Sequence, residues 1–508
     1  MRVSWGIDAG AQKRNQIVPV VWDESLAINF HLLICGTSGT GKTYTLRKLI
    51  REGIATSDAG EGSPRFHVFD VHGDLEIPGE SEVLFSEQTT YGMNPLIVGS
   101  DPHFGGVRKR IQGFVSTLNR VMRQLGPKQE ACLRNILADL YASHGFHQDD
   151  PSTWHVNPRD AQLVFDGNDG RLAIDVPIGE KDDAKALGAR WDSAQKAWWI
   201  RSEDYQGAVT RWSPKTFGRT HPSIADALRR ARHVLQASFL GTGQAAVTAL
   251  EIANKAAAAY QRKRIDALKR GQSGFADDKL QADLDKAKTK AIESYTAYAD
   301  ALVTGAELET LMKYDSVDVL KSVVDRLENL SAIGIFKPTP PPFDPNKAVW
   351  RYNLRPLLLE ERKLFVLFRL EQLFAAAVER GEQSSVRDVI ILDEAHIYQS
   401  DDDDNPLNII AKEARKFGVA LVCASQAPSH FATDFLGNIG ATLLLGLSEM
   451  HWAASARAMR CPIEGLEWIR PQRSMLVQIK AKGETRSDWR WTLIQPSTTD
   501  TRQREYAN

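Results

Sequence analysis

The sequence predicts an α/β fold with a mostly parallel sheet, and three observations lead to this prediction. Short apolar runs typical of buried parallel strands alternate with helical patterns near both ends of the chain. The middle of the chain lacks this alternation and is first aromatic-rich, then helical and alanine-rich. A proline-rich segment at residues 337–342 (KPTPPP) ends the helical part and predicts a stiff linker before the strands return.

The alternating elements predict one core made from both ends of the chain. We expect strands at residues 31–35, 66–71, 348–353, 386–393, 419–425, 441–447 and 475–479. We expect core helices at residues 43–52, 105–125, 129–143 and 357–379. The predicted domains are a core of residues 1–155 and 336–500, an inserted small α+β module at 156–215, a helical domain at 216–335 with a break near 271–274, and a disordered tail at 501–508.

Composition excludes several classes of protein. A formal net charge of −1 and a pI of about 6.9 exclude a uniformly basic DNA-coating protein, although a local basic surface is still possible. Cys35, Cys132, Cys423 and Cys461 have no metal-ligand spacing, which argues against a zinc site or a disulfide framework. No apolar stretch approaches the length of a membrane span, and the first residues lack the apolar segment of a signal peptide. We therefore expect a cytoplasmic protein without direct membrane insertion.

A complete phosphate-binding loop follows the first predicted core strand. The pattern G-x-x-x-x-G-K-[ST] is matched by Gly36, Thr37, Ser38, Gly39, Thr40, Gly41, Lys42 and Thr43. In such loops backbone N–H groups point at phosphate oxygens, and the following helix adds a favourable dipole. We expect Lys42 to bridge the β- and γ-phosphates and Thr43 to bind Mg²⁺, so ATP and Mg²⁺ are the predicted cofactors. The alternative is a glycine-rich turn that matches by chance.

Two adjacent carboxylates, Asp393 and Glu394, follow a run of four apolar residues. A buried strand would deliver Asp393 to the magnesium side of the nucleotide, and Glu394 would then polarise the attacking water. The alternative is a strand that ends in a solvated acidic turn.

Two further polar residues are candidates for the same reaction. Gln426 follows the apolar run 419–425 and would reach the γ-phosphate or the attacking water, unless it is an ordinary polar residue after a strand. Arg415 ends a predicted helix and could project into the nucleotide site of a neighbouring subunit. Basic residues are also favoured at helix ends by the helix dipole, so both interpretations of Arg415 remain open.

Together these motifs resemble those of the HerA/FtsK superfamily of P-loop ATPases, particularly HerA-like and conjugation-type DNA motors. The resemblance covers residues 29–43, 69–74 (FDVHGD), 93–96 (MNPL), 125–129 and 390–447, and residues 425–429 (SQAPS) are similar to the family's S-Q-x-P-S segment. It implies a RecA-like core, a hexameric ring that acts on DNA (duplex more than single-stranded), and a role of Arg415 between subunits. Asp74 stands where the family usually has Glu. Only about 30 residues precede the first predicted strand, which leaves no room for the N-terminal β-barrel of archaeal HerA proteins.

The inserted segment resembles a small aromatic-rich module of conjugative primases, through residues 184–192 and 196–200. Its tryptophans could stack on single-stranded bases or could form the core of the module. The helical segment that follows is locally basic and could track phosphates or be a solvated surface. Its basic residues are Arg229, Arg230, Arg232, Arg262, Lys263, Arg264, Lys269 and Arg270.

Two functions fit the sequence. The first is an ATP-driven DNA translocase or helicase-like motor, which needs the complete hydrolysis set of Lys42, Asp393, Glu394 and Gln426. The second is a nucleotide-switched ring that recruits an effector such as a nuclease, for which the unusual insert would be suited.

Overall fold

The computed structural model describes residues 1–57, 63–156, 170–193, 196–212, 219–240, 244–271, 278–301, 313–484 and 487–495. The predicted helix break near residues 271–274 falls mostly outside these residues, and the predicted tail at 501–508 falls wholly outside them. Contacts divide the chain into two units. The first contains residues 1–95, 99–123 and 333–508, and the second contains residues 96–98 and 124–332.

The strands in chain order are β1 (Arg2–Asp8), β2 (Pro19–Asp23), β3 (Leu32–Cys35), β4 (Arg65–Asp70), β5 (Ser81–Leu84), β6 (Arg171–Ile174), β7 (Arg190–Asp192), β8 (Ala197–Arg201), β9 (Val349–Asn353), β10 (Asp388–Leu392), β11 (Val419–Ser425), β12 (Ala441–Leu444), β13 (Ser474–Ile479) and β14 (Trp489–Leu493). The helices are α1 (Ala9–Gln12), α2 (Lys42–Ala55), α3 (Val107–Val121), α4 (Pro127–Ser143), α5 (Lys181–Ala186), α6 (Ile224–Leu240), α7 (Gln244–Gly271), α8 (Asp278–Asp300), α9 (Val317–Ala332), α10 (Leu359–Arg380), α11 (Pro406–Glu413), α12 (Thr433–Gly437), α13 (Trp452–Met459) and α14 (Ile463–Trp468). In the described residues no helix is both long and apolar enough to cross a bilayer.

The first unit is built on a mixed sheet with the order β2-β1-β14-β13-β12-β3-β11-β10-β4-β9-β5. From β12 to β5 every neighbouring pair is parallel, and from β2 to β12 every pair is antiparallel. The central strands β3 and β11 are buried along their whole length because helices cover both faces of a parallel sheet. The predicted α/β class with a mostly parallel sheet is confirmed, and strands from both ends of the chain share this sheet.

The antiparallel side of the sheet is where the structure differs most from the sequence prediction. The sequence pattern does not predict β1, β2 or β14, because their buried and half-buried positions are mixed rather than continuous. β14 passes so close to Gly6 that a Cβ atom there would lie 2.1 Å from the carbonyl oxygen of Leu493. Only glycine permits that approach, and a bulge between Ser4 and Gly6 accompanies it.

The second unit contains a helical part and a small three-stranded sheet with the order β6-β8-β7. In the helical part α4, α6 and α9 pack on one another. The sequence predicts that α4 belongs to the first part of the core, and in the structure α4 packs on α6 and α9. The predicted domain boundaries at residues 155, 215 and 335 stay predictions.

Candidate nucleotide site at the carboxyl edge of the sheet

The carboxyl ends of four parallel strands bring the predicted site residues to one edge of the sheet. Cys35 at the end of β3 pairs with Ser425 at the end of β11, and Leu392 at the end of β10 pairs with Cys423 of β11 and Phe69 of β4. The residues that follow these strands are the loop 36–43, Asp393 and Gln426. Residues from opposite ends of the chain therefore meet where ligands bind in open parallel sheets.

The loop 36–43 has the backbone shape that a phosphate site needs. Gly39 and Gly41 have φ angles of +79° and +104°, in the region that only glycine adopts readily. At Gly36 a Cβ atom would lie 2.3 Å from Oγ1 of Thr40. The loop is fixed on both sides, because the N–H of Gly36 donates to the carbonyl of Ser425 (3.0 Å) and the N–H of Thr37 donates to the carbonyl of Gly446 (2.9 Å).

Lys42 is the first residue of α2 and lies between this loop and Glu394. Its Nζ donates to the carbonyl oxygen of Gly36 (2.8 Å) and lies 3.9 Å from Oε1 of Glu394. Both side chains are about one-eighth exposed, at 12% and 13%. Thr43 is the next residue of α2 and is half-buried. The side chains of Lys42 and of Glu394, the predicted general base, are therefore neighbours in space.

Glu394 adopts a backbone conformation that is uncommon for a residue with a side chain. Its φ and ψ angles are 49° and 45°, in the left-handed region. Its Oε2 is buried, lies 3.3 Å from Nδ1 of His396, and makes no hydrogen bond of good geometry within the described part of the chain. A strained residue with an unsatisfied carboxylate oxygen is costly for stability, and such strain clusters at functional sites.

Asp393 is a buried carboxylate in an acidic surrounding. It is 7% exposed, and its Oδ1 accepts a hydrogen bond from the N–H of Glu394 (3.1 Å). Burial first, and then the charge of Glu394, raise the pKa of Asp393 to about 6. A divalent cation would relieve this concentration of negative charge, so the residues present fit Mg²⁺.

Asp70, Asp74 and Asp393 place carboxylate oxygens within 4.8 Å of one another. Asp70 has a structural role, because its Oδ1 accepts from the N–H groups of His72 and Gly73, and its Oδ2 accepts from the N–H of Leu75. Nη1 of the buried Arg351 also contacts Oδ2, at 3.1 Å. Asp70 therefore orders the loop that presents the exposed Asp74 to Asp393.

Gln426 and Arg415 lie at opposite ends of β11. Gln426 is exposed and follows the last residue of this strand, beside the loop 36–43. Arg415 is also exposed but precedes the strand, and its guanidinium lies 5.9 Å from the ring centroid of Phe30. The seven residues of β11 span about 20 Å, so Arg415 lies far from the nucleotide site of the same chain.

Sequence reasoning missed several residues that contact the site. Gln472, with a φ angle of 63°, donates from its side-chain amide to the carbonyl of Gly39 (2.9 Å). Oγ of Ser425 lies 3.4 Å from Nδ1 of His396 and 3.3 Å from Nδ1 of His430. Burial is the main cause that lowers the pKa of His430. Nothing in the local sequence marks Gln472 or His430, since both reach the site only through the tertiary fold.

Comparisons with protein families give two matches along the chain. Residues 8–91 match the family model described as Helicase HerA, central domain, which includes the loop 36–43 and the acidic Asp70. Residues 171–214 match a family described as a domain of unknown function, DUF5710. No curated protein matches the sequence.

Comparisons with solved structures give matches at low identity, two of which cover 98% of the chain. VirB4 of Thermoanaerobacter pseudethanolicus is 14% identical with a TM-score of 0.52, and 98% of each chain is covered. The bacterial plasmid coupling protein TrwB, in complex with ADP and Mg²⁺, is 12% identical with a TM-score of 0.43, covering 98% of this chain and 95% of that one. The HerA family match and the VirB4 likeness confirm the predicted resemblance to P-loop ATPases of the HerA/FtsK type and the RecA-like fold.

Proposed function

We propose that this chain is an ATPase that couples ATP hydrolysis to movement along DNA, in the cytoplasm and as a ring of six subunits. The observation that carries the proposal is the 3.9 Å approach of Lys42 Nζ to Glu394 Oε1, between residues from opposite ends of the chain. A phosphate-binding lysine and a carboxylate that can act as a base are the two groups that hydrolysis of a bound nucleoside triphosphate most needs.

Each residue at this edge has a distinct part in the proposed reaction. The N–H groups of the loop 36–43 bind the β- and γ-phosphates, and Lys42 moves from the Gly36 carbonyl to bridge them. Thr43 and Asp393 would hold Mg²⁺, which would supply neutralisation of the charge on the phosphates. Glu394 accepts a proton from the attacking water, and Gln426 orients that water.

A ring follows from the position proposed for Arg415. An arginine that stabilises a transferring phosphoryl group must lie at the nucleotide, and Arg415 is about 20 Å away from its own site along β11. It serves the site of the next subunit if subunits associate head to tail, and closed head-to-tail association produces a ring.

We propose that the ATPase moves along DNA because the matched family model is described as a helicase. We propose duplex DNA, rather than single-stranded DNA, as the form on which the ATPase acts. The net charge of −1 implies that DNA contacts a local basic surface of the ring rather than the whole protein.

The test is the steady-state ATPase rate of the full chain with duplex DNA, with single-stranded DNA and without DNA, at several salt concentrations. We expect duplex DNA to raise the rate and added salt to remove the stimulation, because phosphate contacts weaken with salt. Lys42→Ala serves as the inactive control. Hydrolysis that no nucleic acid stimulates would contradict the motor and favour the nucleotide-switched ring that recruits an effector.

A further inference from the structure

The aromatic module, defined as residues 170–193 and 196–212, contains tryptophans in two different settings. Trp198 and Trp212 are 8% and 3% exposed and form its core with apolar side chains such as Ile174 and Ile200. The indole N–H of Trp212 donates to Oε2 of Glu180 (2.7 Å). These two tryptophans hold a very small domain together, as large side chains must when little core is available.

Trp191 of β7 does not belong to that core. It is 52% exposed, and its ring packs edge-on against Trp198 with 5.5 Å between the ring centroids. The two indoles line a cavity of about 450 Å³, which is within the usual size of small-ligand pockets. Ile178, at 91% exposure, stands at the edge of the same cavity. An indole held in place by a buried neighbour and open on its other side is a preformed surface for stacking.

The lining of the cavity is basic as well as aromatic. Lys181, Lys185 and Lys196 contribute to it, against one acidic residue, Asp175. Lys185 has a 3.9 Å ion pair with Asp182, but both side chains are mostly exposed, and such pairs contribute little. Lys196 has a φ angle of 50°, an uncommon value for a lysine, at the turn that leads into β8. Three ammonium groups around an open indole give a positive rim to an aromatic site.

We propose that this pocket binds single-stranded nucleic acid, with one unpaired base stacked on Trp191 and the flanking phosphates contacted by Lys181, Lys185 and Lys196. Stacking supplies attraction to any base, and the lysines supply attraction to the backbone, which is the usual combination in single-strand binding. A duplex offers no free base face to Trp191. The site therefore discriminates in favour of unpaired strands.

The experiment measures binding of fluorescein-labelled oligo(dT) and oligo(rU) of eight nucleotides to the full chain by fluorescence anisotropy, without ATP, over a series of salt concentrations. Trp191→Ala should weaken binding about tenfold, whereas Trp191→Phe should retain most of it because a ring remains. The triple variant Lys181→Ala, Lys185→Ala, Lys196→Ala should lower the slope of log K against log salt by about 2, at about 0.7 per phosphate contact. The matched control removes three exposed lysines of α8, Lys286, Lys288 and Lys290, and should bind as the wild type does.

Oligo(dT) and oligo(rU) test whether the bound strand is DNA or RNA. A site that uses only stacking and phosphate contacts should bind both. Equal affinity of wild type and Trp191→Ala, or equal weakening by both triple-lysine variants, would overturn the proposal. Equal weakening by Trp191→Ala of binding to an eight-base-pair duplex and to oligo(dT) would overturn it too, because the duplex offers no free base to this pocket. Unchanged ATPase of Trp191→Ala without DNA separates this result from the proposed motor function, because the variant leaves the nucleotide site intact.

Discussion

Glu394 is the residue whose substitution tests the proposed chemistry most directly. Glu394→Gln keeps the size of the side chain and one accepting oxygen but removes its ability to accept a proton. We expect the hydrolysis rate to fall about 10²–10⁴-fold, the usual contribution of a positioned base, while ATP binding persists. The measurements are steady-state ATPase and binding of a fluorescent ATP analogue.

Glu382→Gln is the matched control for this substitution, because Glu382 is exposed and follows α10 near the start of β10, away from the carboxyl edge. It should hydrolyse ATP at the wild-type rate. Lys42→Ala, in contrast, should weaken both binding and hydrolysis. Near-normal turnover of Glu394→Gln would show that a different residue prepares the water.

A single site residue can be predicted from the sequence when a recognisable motif or an apolar strand lies next to it along the chain. Lys42 and Glu394 are predicted as site residues because one belongs to a loop motif and the other follows an apolar strand, and their side chains lie 3.9 Å apart in the structure. Gln472 could not be found, because it approaches Gly39 only when the segment before β13 folds over the loop. The left-handed backbone of Glu394 was equally hidden, since it depends on the tight turn after β10.

At the scale of elements, continuous apolar runs were predictable and mixed strands were not. β10 and β11 are nearly uniform runs of apolar residues, and they were expected close to their observed bounds. β14 has the sequence WRWTL, and its positions alternate between half-buried and exposed apart from Thr492. An edge or antiparallel strand needs only one apolar face, so its pattern resembles that of a loop with a few aromatic residues.

His31 joins the start of β3 to β11 and makes the stability of the sheet sensitive to acid. Its ring is fully buried, and Nδ1 accepts a hydrogen bond from the N–H of Leu421 (3.0 Å). Burial first, and then the charge of Arg415, lower the pKa of His31 to about 4. The unfolded chain, with a histidine pKa of about 6.5, therefore takes up the proton first, and the stabilising contribution is lost as the pH falls from 6.5 towards 4.

We expect this loss to be about 3 kcal/mol in the free energy of unfolding at pH 4. His31→Gln provides the comparison, since its amide oxygen can accept from Leu421 but does not titrate. Denaturant unfolding at pH 7, 6, 5 and 4, followed by tryptophan fluorescence, should show wild type losing more stability than the variant as the pH falls. Parallel pH profiles of the two proteins would mean that His31 is not buried as a neutral ring. Other buried histidines are present in both proteins, so their effects on the free energy of unfolding cancel in the difference between wild type and variant.

At the scale of the whole molecule, the proposed ring depends on Arg415 reaching the nucleotide site of a neighbouring chain. Each chain contains the loop 36–43 and Glu394 at one end of β11 and Arg415 at the other. If Arg415 completes a neighbour's site, Arg415→Ala should retain ATP binding but lose hydrolysis by about 10³–10⁵-fold, the contribution of such arginines where they are measured. Lys416→Ala, which removes the adjacent exposed cation, should remain active.

Mixing two inactive variants distinguishes an arginine that acts on a neighbour from one that acts within its own chain. In a ring containing both Arg415→Ala and Glu394→Gln subunits, some interfaces combine an intact Glu394 from one subunit with an intact Arg415 from the next. These interfaces are complete, so the mixture should hydrolyse ATP faster than either variant alone, with a maximum near equal amounts. An arginine acting within its own chain gives no recovery at any ratio, because every chain then lacks one of the two groups. Zero activity across all ratios, with subunit exchange shown by energy transfer between labelled chains, would therefore reject the neighbour's role and remove the main support for a ring.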